Sequence, residues 1–177
     1  SRFLIFAGNV HDSKTSDVGS IAAEEALLRQ IIENDRSETL VYFSSCSVLD
    51  PEQNRSLYAG HKARMEQLLQ ASSRKFLIFR LPQLFGLSDE ASSLVNFLVD
   101  AVLHDKPFDV WLNAQRNFID IDDVYRIAHD ILSSGNRSNC IINIASPHST
   151  SVADLVARIE QYFGRPAKYQ AVDKGSR

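Results

Sequence analysis

The 177-residue sequence has only two cysteines, no run of basic residues and no long apolar segment, and each scarcity excludes a class of protein. Cys46 and Cys140 lie far apart, each beside an apolar run, which predicts reduced, buried thiols and excludes a disulfide scaffold. The five histidines show no metal-ligand spacing, so we expect no metal site. The 19 basic and 22 acidic residues include no Lys/Arg block, so we expect no nucleic-acid partner. No segment approaches the roughly 20 apolar residues that span a membrane.

The first residues bear on the start of the protein and on its location. The sequence has no initiator methionine and opens directly in a predicted strand, so we expect the encoded protein to begin earlier. The apolar run Phe3–Ala7 is too short for a signal peptide, and charged residues follow it at once. Together with the reduced thiols, this predicts a cytoplasmic protein without a membrane segment.

Strand and helix patterns alternate along a chain of ordinary globular composition, with 44% hydrophobic and 23% charged residues. Short apolar runs predict strands at Phe3–Ala7, Leu40–Phe43, Phe76–Phe79, Phe108–Leu112 and Ile141–Ile144. Helical spacing of apolar residues predicts helices at Asp17–Glu33, Leu57–Gln70 (capped by Ser56), Ser93–His104, Asp122–Leu132 and Val152–Phe163. Because the strands are apolar on both faces, the predicted fold class is α/β, a doubly wound parallel sheet covered by helices.

Ligands of such sheets bind outside the carboxyl ends of the strands, so residues that follow strands are the candidates for chemistry. Tyr58 and Lys62 share a face of a predicted helix, where the ammonium would lower the pKa of the phenol and prepare it for proton exchange with a substrate hydroxyl. Ser45 follows a strand at the same edge and can hold a substrate oxygen near Tyr58. From the residues alone, a solvated helix face for Tyr58 and Lys62 and ordinary turn chemistry for Ser45 remain open.

Four ordered segments carry a resemblance to a known family. The central one is Leu40–Val48, which runs through Ser44 and Ser45 and is followed by Tyr58–Lys62. The others are Phe6–Gly8, Phe79–Gly86 and Arg116–Val124. In this order they resemble the extended short-chain dehydrogenase/reductase family, which includes nucleotide-sugar epimerases, dehydratases and reductases, over about residues 3–133.

The resemblance implies a role for each matching residue. The catalytic residues would be Tyr58 as acid/base, Lys62 as the group that lowers the pKa of Tyr58 and bonds the nicotinamide ribose, and Ser45 as the group that orients the reacting oxygen. The residues that line the cofactor would be Phe6, Ala7, Gly8, Leu81 and Pro82, in addition to Tyr58 and Lys62. The substrate-binding residues would be Ser45, Gln83, Asn96 and Arg116, the last on a substrate diphosphate. A surface ion pair of Arg116 with Asp120 or Asp122 is the alternative.

The resemblance also implies a cofactor, a substrate class and a division of the chain. The cofactor would be NAD or NADP, and the substrate a nucleotide-activated sugar, which gives the protein a place in polysaccharide biosynthesis. Residues 1–86 would be the remaining part of a Rossmann-like NAD(P)-binding domain. Residues 87–177 would be a small substrate-binding part, with a late strand and helices that return to the sheet. Helices at Val18–Ile32 and Leu57–Leu69 would form a homodimer bundle with a second copy, as in related proteins.

Three departures from the family pattern keep other functions open. The opening Gly-x-x-Gly-x-x-Gly turn and the first strands of the nucleotide-binding half are absent from the sequence, which is expected if this sequence is truncated. Dehydratases carry an acidic residue where Cys46 stands, which argues against dehydration, and Gln83 replaces the family's asparagine. A non-catalytic module that senses NAD(P) or docks a partner is the alternative function, and a scaffold without a cofactor half is another.

Overall fold

The computed structural model describes residues 2–8, 10, 16–50, 56–86 and 93–175. These residues divide into two compact units, which we describe separately. The first contains Ser1–Leu81 and Tyr125–Ile144, and the second contains Pro82–Val124 and Ala145–Arg177. The predicted functional division at residue 86 stays a prediction.

The described residues form a regular succession of strands and helices. In chain order they are β1 (Phe3–Phe6), α1 (Val18–Asn34), β2 (Thr39–Ser45), a short 3-10 turn (Cys46–Leu49), α2 (Leu57–Ala71), β3 (Lys75–Leu81), β4 (Gln83–Phe85), α3 (Leu94–Leu103), β5 (Phe108–Trp111), β6 (Gln115–Asp120), α4 (Ile121–Ser134), β7 (Cys140–Asn143), β8 (Ser149–Ser151), α5 (Val152–Phe163) and β9 (Tyr169–Val172).

The first unit is built on a parallel four-stranded sheet in the order β1-β2-β3-β7. The apolar residues that predicted these strands form its core together with residues of α1 and α2: Phe6, Leu28, Leu40, Tyr42, Met65, Leu69, Phe76 and Ile78. Burial of apolar surface on this scale is the main source of stability in such a sheet. The α/β class with a parallel sheet is therefore confirmed.

The helices of both units begin where a side-chain oxygen can cap them. Asp17 caps α1, and Ser56 caps α2 by accepting a hydrogen bond from the backbone N–H of Ala59 at 3.1 Å. Ser93 and Ser151 cap α3 and α5 in the same way. Each cap satisfies an N–H that has no partner within the helix, so these sequence signals place the helix starts to within one residue.

The described residues of the second unit form two small sheets. Strand β6 pairs with β4 in parallel and with β8 antiparallel, while β5 pairs with β9 in parallel. Its apolar core joins α3, β5 and α5, with Leu98, Val102, Val110 and Val156 almost completely buried. Four of these strands, namely β4, β6, β8 and β9, were not predicted as strands. They form strands because they pair with segments that are distant in the sequence.

Candidate active site

The carboxyl ends of three neighbouring strands bring the predicted cofactor and catalytic segments to one edge of the first unit. Phe6 at the end of β1 pairs in register with Tyr42, and Ser45 at the end of β2 pairs with Leu81 at the end of β3. All three strands run in the same direction, so the residues that follow them leave the sheet on the same side. Ala7, Gly8, Ser45 and Leu81 therefore belong to one edge, as predicted.

Ser45 serves both the local turn and Tyr58. Its hydroxyl caps the 3-10 turn, accepting hydrogen bonds from the Ser47 backbone N–H at 3.2 Å and from the Ser47 hydroxyl at 2.9 Å. It also interacts with the phenol of Tyr58 and lowers the pKa of that group. The turn chemistry and the contact with Tyr58 are thus compatible, because a hydroxyl oxygen has two lone pairs and one hydrogen.

The pKa of Tyr58 lies above its ordinary value in the free chain, and the role of Lys62 in lowering it for catalysis stays a prediction. Burial of the phenol is the largest cause, and the charge of Glu24 adds to it, while the hydrogen bond with Ser45 acts in the opposite direction. The Lys62 Nζ atom lies 5.6 Å from the centre of the Tyr58 ring and 5.3 Å from that of Tyr42. It is within 3.5 Å of a Glu24 carboxylate oxygen instead.

Glu24 is the residue of this cluster that sequence reasoning missed. It lies on α1, its side chain is 1% exposed, and Oε1 contacts the buried Lys62 ammonium. Its other oxygen, Oε2, accepts a hydrogen bond of 2.6 Å from the backbone N–H of Val10, just after β1. One signal was available: Glu24 stands at core spacing between Ile21 and Leu28, and an acidic residue on a buried helix face needs a partner.

His61 completes the buried group around Glu24. Its ring is fully buried, and Nε2 lies 3.3 Å from Glu24 Oε1 without the angle of a hydrogen bond. Burial lowers the pKa of this imidazole below its ordinary value, and the Glu24 charge opposes that effect without overcoming it. The histidine is therefore neutral at pH 7, and the Glu24 charge is matched by Lys62.

The backbone at Gly8 comes close to the same two charged groups. Gly8 has a φ of +74°, and a Cβ built on it would stand 2.7 Å from Glu24 Oε1 and 3.4 Å from Lys62 Nζ. Only a residue without a side chain fits this conformation at this distance. The arrangement leaves bare backbone beside the Lys62 ammonium, so the residues present fit the ribose and nicotinamide end of a dinucleotide cofactor.

We expect Gly8→Ala to destabilise the protein by about 1–2 kcal/mol, because it adds left-handed strain and a close contact with Glu24. Gly60→Ala is the matched control on α2, where an added Cβ has nothing within 4 Å. The control should stabilise the protein by about 0.5–1 kcal/mol through helix propensity. Urea unfolding of both variants measures the difference, and equal effects would contradict the geometry at Gly8.

A second buried charge pair contacts Ser44, the residue before Ser45. Arg80 on β3 donates from Nε and Nη2 to the two oxygens of Glu66 on α2, at 2.9 and 2.6 Å. Ser44 on β2 donates its hydroxyl to Glu66 Oε1 at 2.6 Å. Three elements that carry the site are thereby joined at one carboxylate. Cys46, next to Ser45, is half-buried and unpaired by a disulfide, and burial raises the pKa of its thiol.

The remaining predicted residues belong to the second unit. Pro82 and Gln83 are half-buried at the start of β4, and Asn96 lies in the first turn of α3, where its N–H donates to Ser93. Arg116 on β6 is half-buried and donates to the Gln115 carbonyl at 2.8 Å. Among the described residues it forms no ion pair with Asp120 or Asp122, so that alternative is not observed.

Two kinds of site are absent from the described part of the chain. Its residues include no group of three His, Cys, Asp or Glu side chains that could hold a metal ion. The acidic residues near Asp120 serve the start of α4, where Asp120 accepts a hydrogen bond from the Asp122 N–H. Among the residues that the structure describes, no helix has the length and apolar character needed to cross a membrane.

The parallel sheet with its flanking helices defines a Rossmann-like fold. The sequence pattern of the NAD dependent epimerase/dehydratase family matches residues 8–145, and the chain belongs to this family. The predicted resemblance to the extended short-chain dehydrogenases is confirmed, and the family is NAD-dependent, as predicted. A search of curated proteins finds no match to the chain.

Solved structures show the same fold at low sequence identity. MoeE5 in complex with UDP-glucose and NAD has a TM-score of 0.79 and 19% identity, over 99% of this chain and 66% of that protein. The Thermotoga maritima UDP-glucose 4-epimerase with UDP-glucose has a TM-score of 0.75 and 16% identity, over 99% and 65%. For the Bacillus anthracis dTDP-glucose 4,6-dehydratase with NAD the values are 0.75 and 17%, over 99% and 62%. The chain thus spans about two thirds of the length of these relatives.

Proposed function

We propose that the protein containing this chain is an NAD(P)-dependent enzyme that epimerises, dehydrates or reduces a nucleotide-activated sugar, with Tyr58 as its acid/base. The observation that carries the proposal is the gathering of Ser45, Tyr58, Lys62 and the bare backbone of Gly8 at one sheet edge. Solved relatives in complex with both UDP-glucose and NAD support it.

The residues of the first unit divide the chemistry among them. A bound nicotinamide cofactor supplies hydride acceptance or donation at a sugar carbon. Tyr58 moves the matching proton to or from the sugar oxygen, and Ser45 orients that oxygen through its hydroxyl. Lys62 provides a buried positive charge for the ribose hydroxyls and for a phenolate at Tyr58. Because the phenol is protonated in the free chain, its ionisation becomes favourable only when binding at the site changes its surroundings.

The proposed substrate contacts rest on the family resemblance and on the chemistry of each residue. Arg116 would bind the diphosphate of the sugar nucleotide, because its guanidinium is planar and permanently charged. Its only partner among the described residues is a neighbouring carbonyl, so its remaining donors are available to an anion. Gln83 and Asn96 would contact the sugar, and Leu81 with Pro82 the nicotinamide, by the roles that the family resemblance assigns them.

Cofactor binding tests the proposal directly. We would titrate NADH and NADPH into the full-length gene product and into residues 1–177, and follow nicotinamide fluorescence. The proposal expects saturable binding by the full-length product. A screen of UDP- and dTDP-sugars for epimerised, dehydrated or reduced products follows. If neither protein binds NADH or NADPH, the proposed function is overturned.

The homodimer stays a prediction. Val18 and Leu27 on α1 and Leu57 on α2 are about half exposed or more, which supports an apolar helix surface that a second copy would cover. Light scattering of the full-length protein measures the assembly, and a monomeric mass would contradict the dimer.

A further inference from the structure

The buried carboxylate of Glu24 joins three parts of the site that are distant in the sequence. One oxygen accepts from the Val10 N–H, just after the segment that contains Gly8, and the other contacts Lys62 Nζ and the His61 ring. Both Glu24 and Lys62 are almost fully buried. A buried ion pair of this kind has a high desolvation cost. Each charge is tolerated because the other is its partner, so removal of either one leaves a buried, unpaired charge.

We propose that Glu24 is a positioning residue for the acid/base pair: its carboxylate holds the Lys62 ammonium beneath the Tyr58 ring and ties it to the backbone that follows β1. The inference rests on the proposed function for its catalytic consequence. The contacts themselves do not depend on that function. No family motif in the sequence marks Glu24, which stands in α1, outside the segments that carry the resemblance.

The first consequence concerns the state of Lys62. Burial lowers the pKa of this ammonium, and Glu24 opposes that effect through its charge and a hydrogen bond. Glu24 therefore keeps Lys62 charged in a place where an isolated lysine would lose its proton more readily. The ammonium contacts Glu24 Oε1 at 3.5 Å and lies 5.6 Å from the centre of the Tyr58 ring.

The second consequence concerns pH dependence. Among the described residues, the charged and titratable groups of this cluster are Glu24 from α1, Tyr42 from β2, and Tyr58, His61 and Lys62 from α2. Two further charges of α2 act on it: Arg64 on His61 and Glu66 on Tyr42. Removing a negative charge lowers the pKa of every acid near it. Glu24→Gln should therefore lower the pKa values of both Tyr58 and Lys62. The pKa of His61 is already below its ordinary value and falls further, so this ring stays neutral and adds no new transition.

The experiment compares the full-length Glu24→Gln protein with the wild type in two ways. In the kinetic arm, both limbs of the pH–rate profile should move to lower pH, and kcat/KM at the optimum should fall by about 100-fold as Lys62 loses its position. In the second arm, phenolate absorbance is titrated without cofactor or substrate. Subtracting the same titration in a Tyr58→Phe background isolates Tyr58, whose transition should also move to lower pH.

Glu25→Gln is the matched control. Glu25 is the next residue on α1, it carries the same group, and it forms ion pairs with Arg29 and Arg64 rather than with the cluster. This variant should leave the phenolate titration and the pH–rate profile in place. An equal shift in both variants, or no shift in Glu24→Gln, would overturn the inference.

A shorter carboxylate keeps the test decisive if Glu24→Gln does not fold. Glu24→Asp retains the charge and loses reach, so it should keep the pH profile while kcat falls by about 10-fold or more. Wild-type kcat in that variant would also overturn the inference. Failure of the proposed function and failure of this inference give different results. If only the proposed function fails, the wild-type protein is inactive but Glu24→Gln still shifts the Tyr58 titration. If the inference fails, that shift is absent.

Discussion

Tyr58→Phe is expected to lower kcat by roughly a thousandfold on the nucleotide sugar that the protein turns over. The substitution removes one hydroxyl, which interacts with Ser45, and leaves the ring near the Lys62 ammonium. Without it, the proposed acid/base that exchanges a proton with the sugar oxygen is lost. NADH affinity should be retained, because Lys62 and the Gly8 backbone are unchanged. Steady-state kinetics and a fluorescence titration measure the two effects separately.

Tyr162→Phe provides the matched control for this loss. Tyr162 lies on α5 with 83% of its surface exposed, so removal of its hydroxyl should leave kcat unchanged. If Tyr58→Phe binds NADH and the cell retains the protein's function, the tyrosine is not an acid/base. The alternative of a non-catalytic NAD(P)-sensing or partner-binding module would then replace the enzyme.

Glu66→Ala should produce the largest loss of stability, about 3 kcal/mol in the free energy of unfolding. The substitution leaves Arg80, whose side chain is only 15% exposed, without its two-point partner, and it removes the acceptor of the Ser44 hydroxyl. An unpaired buried guanidinium retains its desolvation cost and loses the attraction that offset it. Urea unfolding followed by circular dichroism measures the change.

Glu38→Ala is the control for Glu66→Ala, because it also breaks an ion pair to β3. Glu38 contacts Lys75 at 3.3 Å, but both side chains are more than half exposed. Water and salt screen such a pair, so the loss should stay below about 0.5 kcal/mol. Similar losses in the two variants would show that burial does not govern the Glu66–Arg80 interaction.

Much of the fold could be predicted because its signals are local. The Ser56 cap and the apolar spacing define α2 as the helix Leu57–Ala71, within a residue of the prediction. Gly164, with a φ of +62°, ends α5 where the sequence indicated. The apolar runs of β1, β2, β3 and β7 likewise predicted a parallel sheet. By contrast, β4 was missed because three residues from Gln83 become a strand only through pairing with β6.

The candidate site was predictable in composition but not in electrostatics. The sequence alone predicted that Ser45, Tyr58 and Lys62 would lie near one edge of the sheet, because strand ends and helix starts share one edge of a parallel sheet. Only the tertiary structure decided that Glu24 stands between Lys62 and the chain after β1, and that burial raises the pKa of Tyr58. The physical reason is that helical spacing and strand order are properties of neighbouring residues. Desolvation and charge pairing depend on which side chains the folded chain brings together in space.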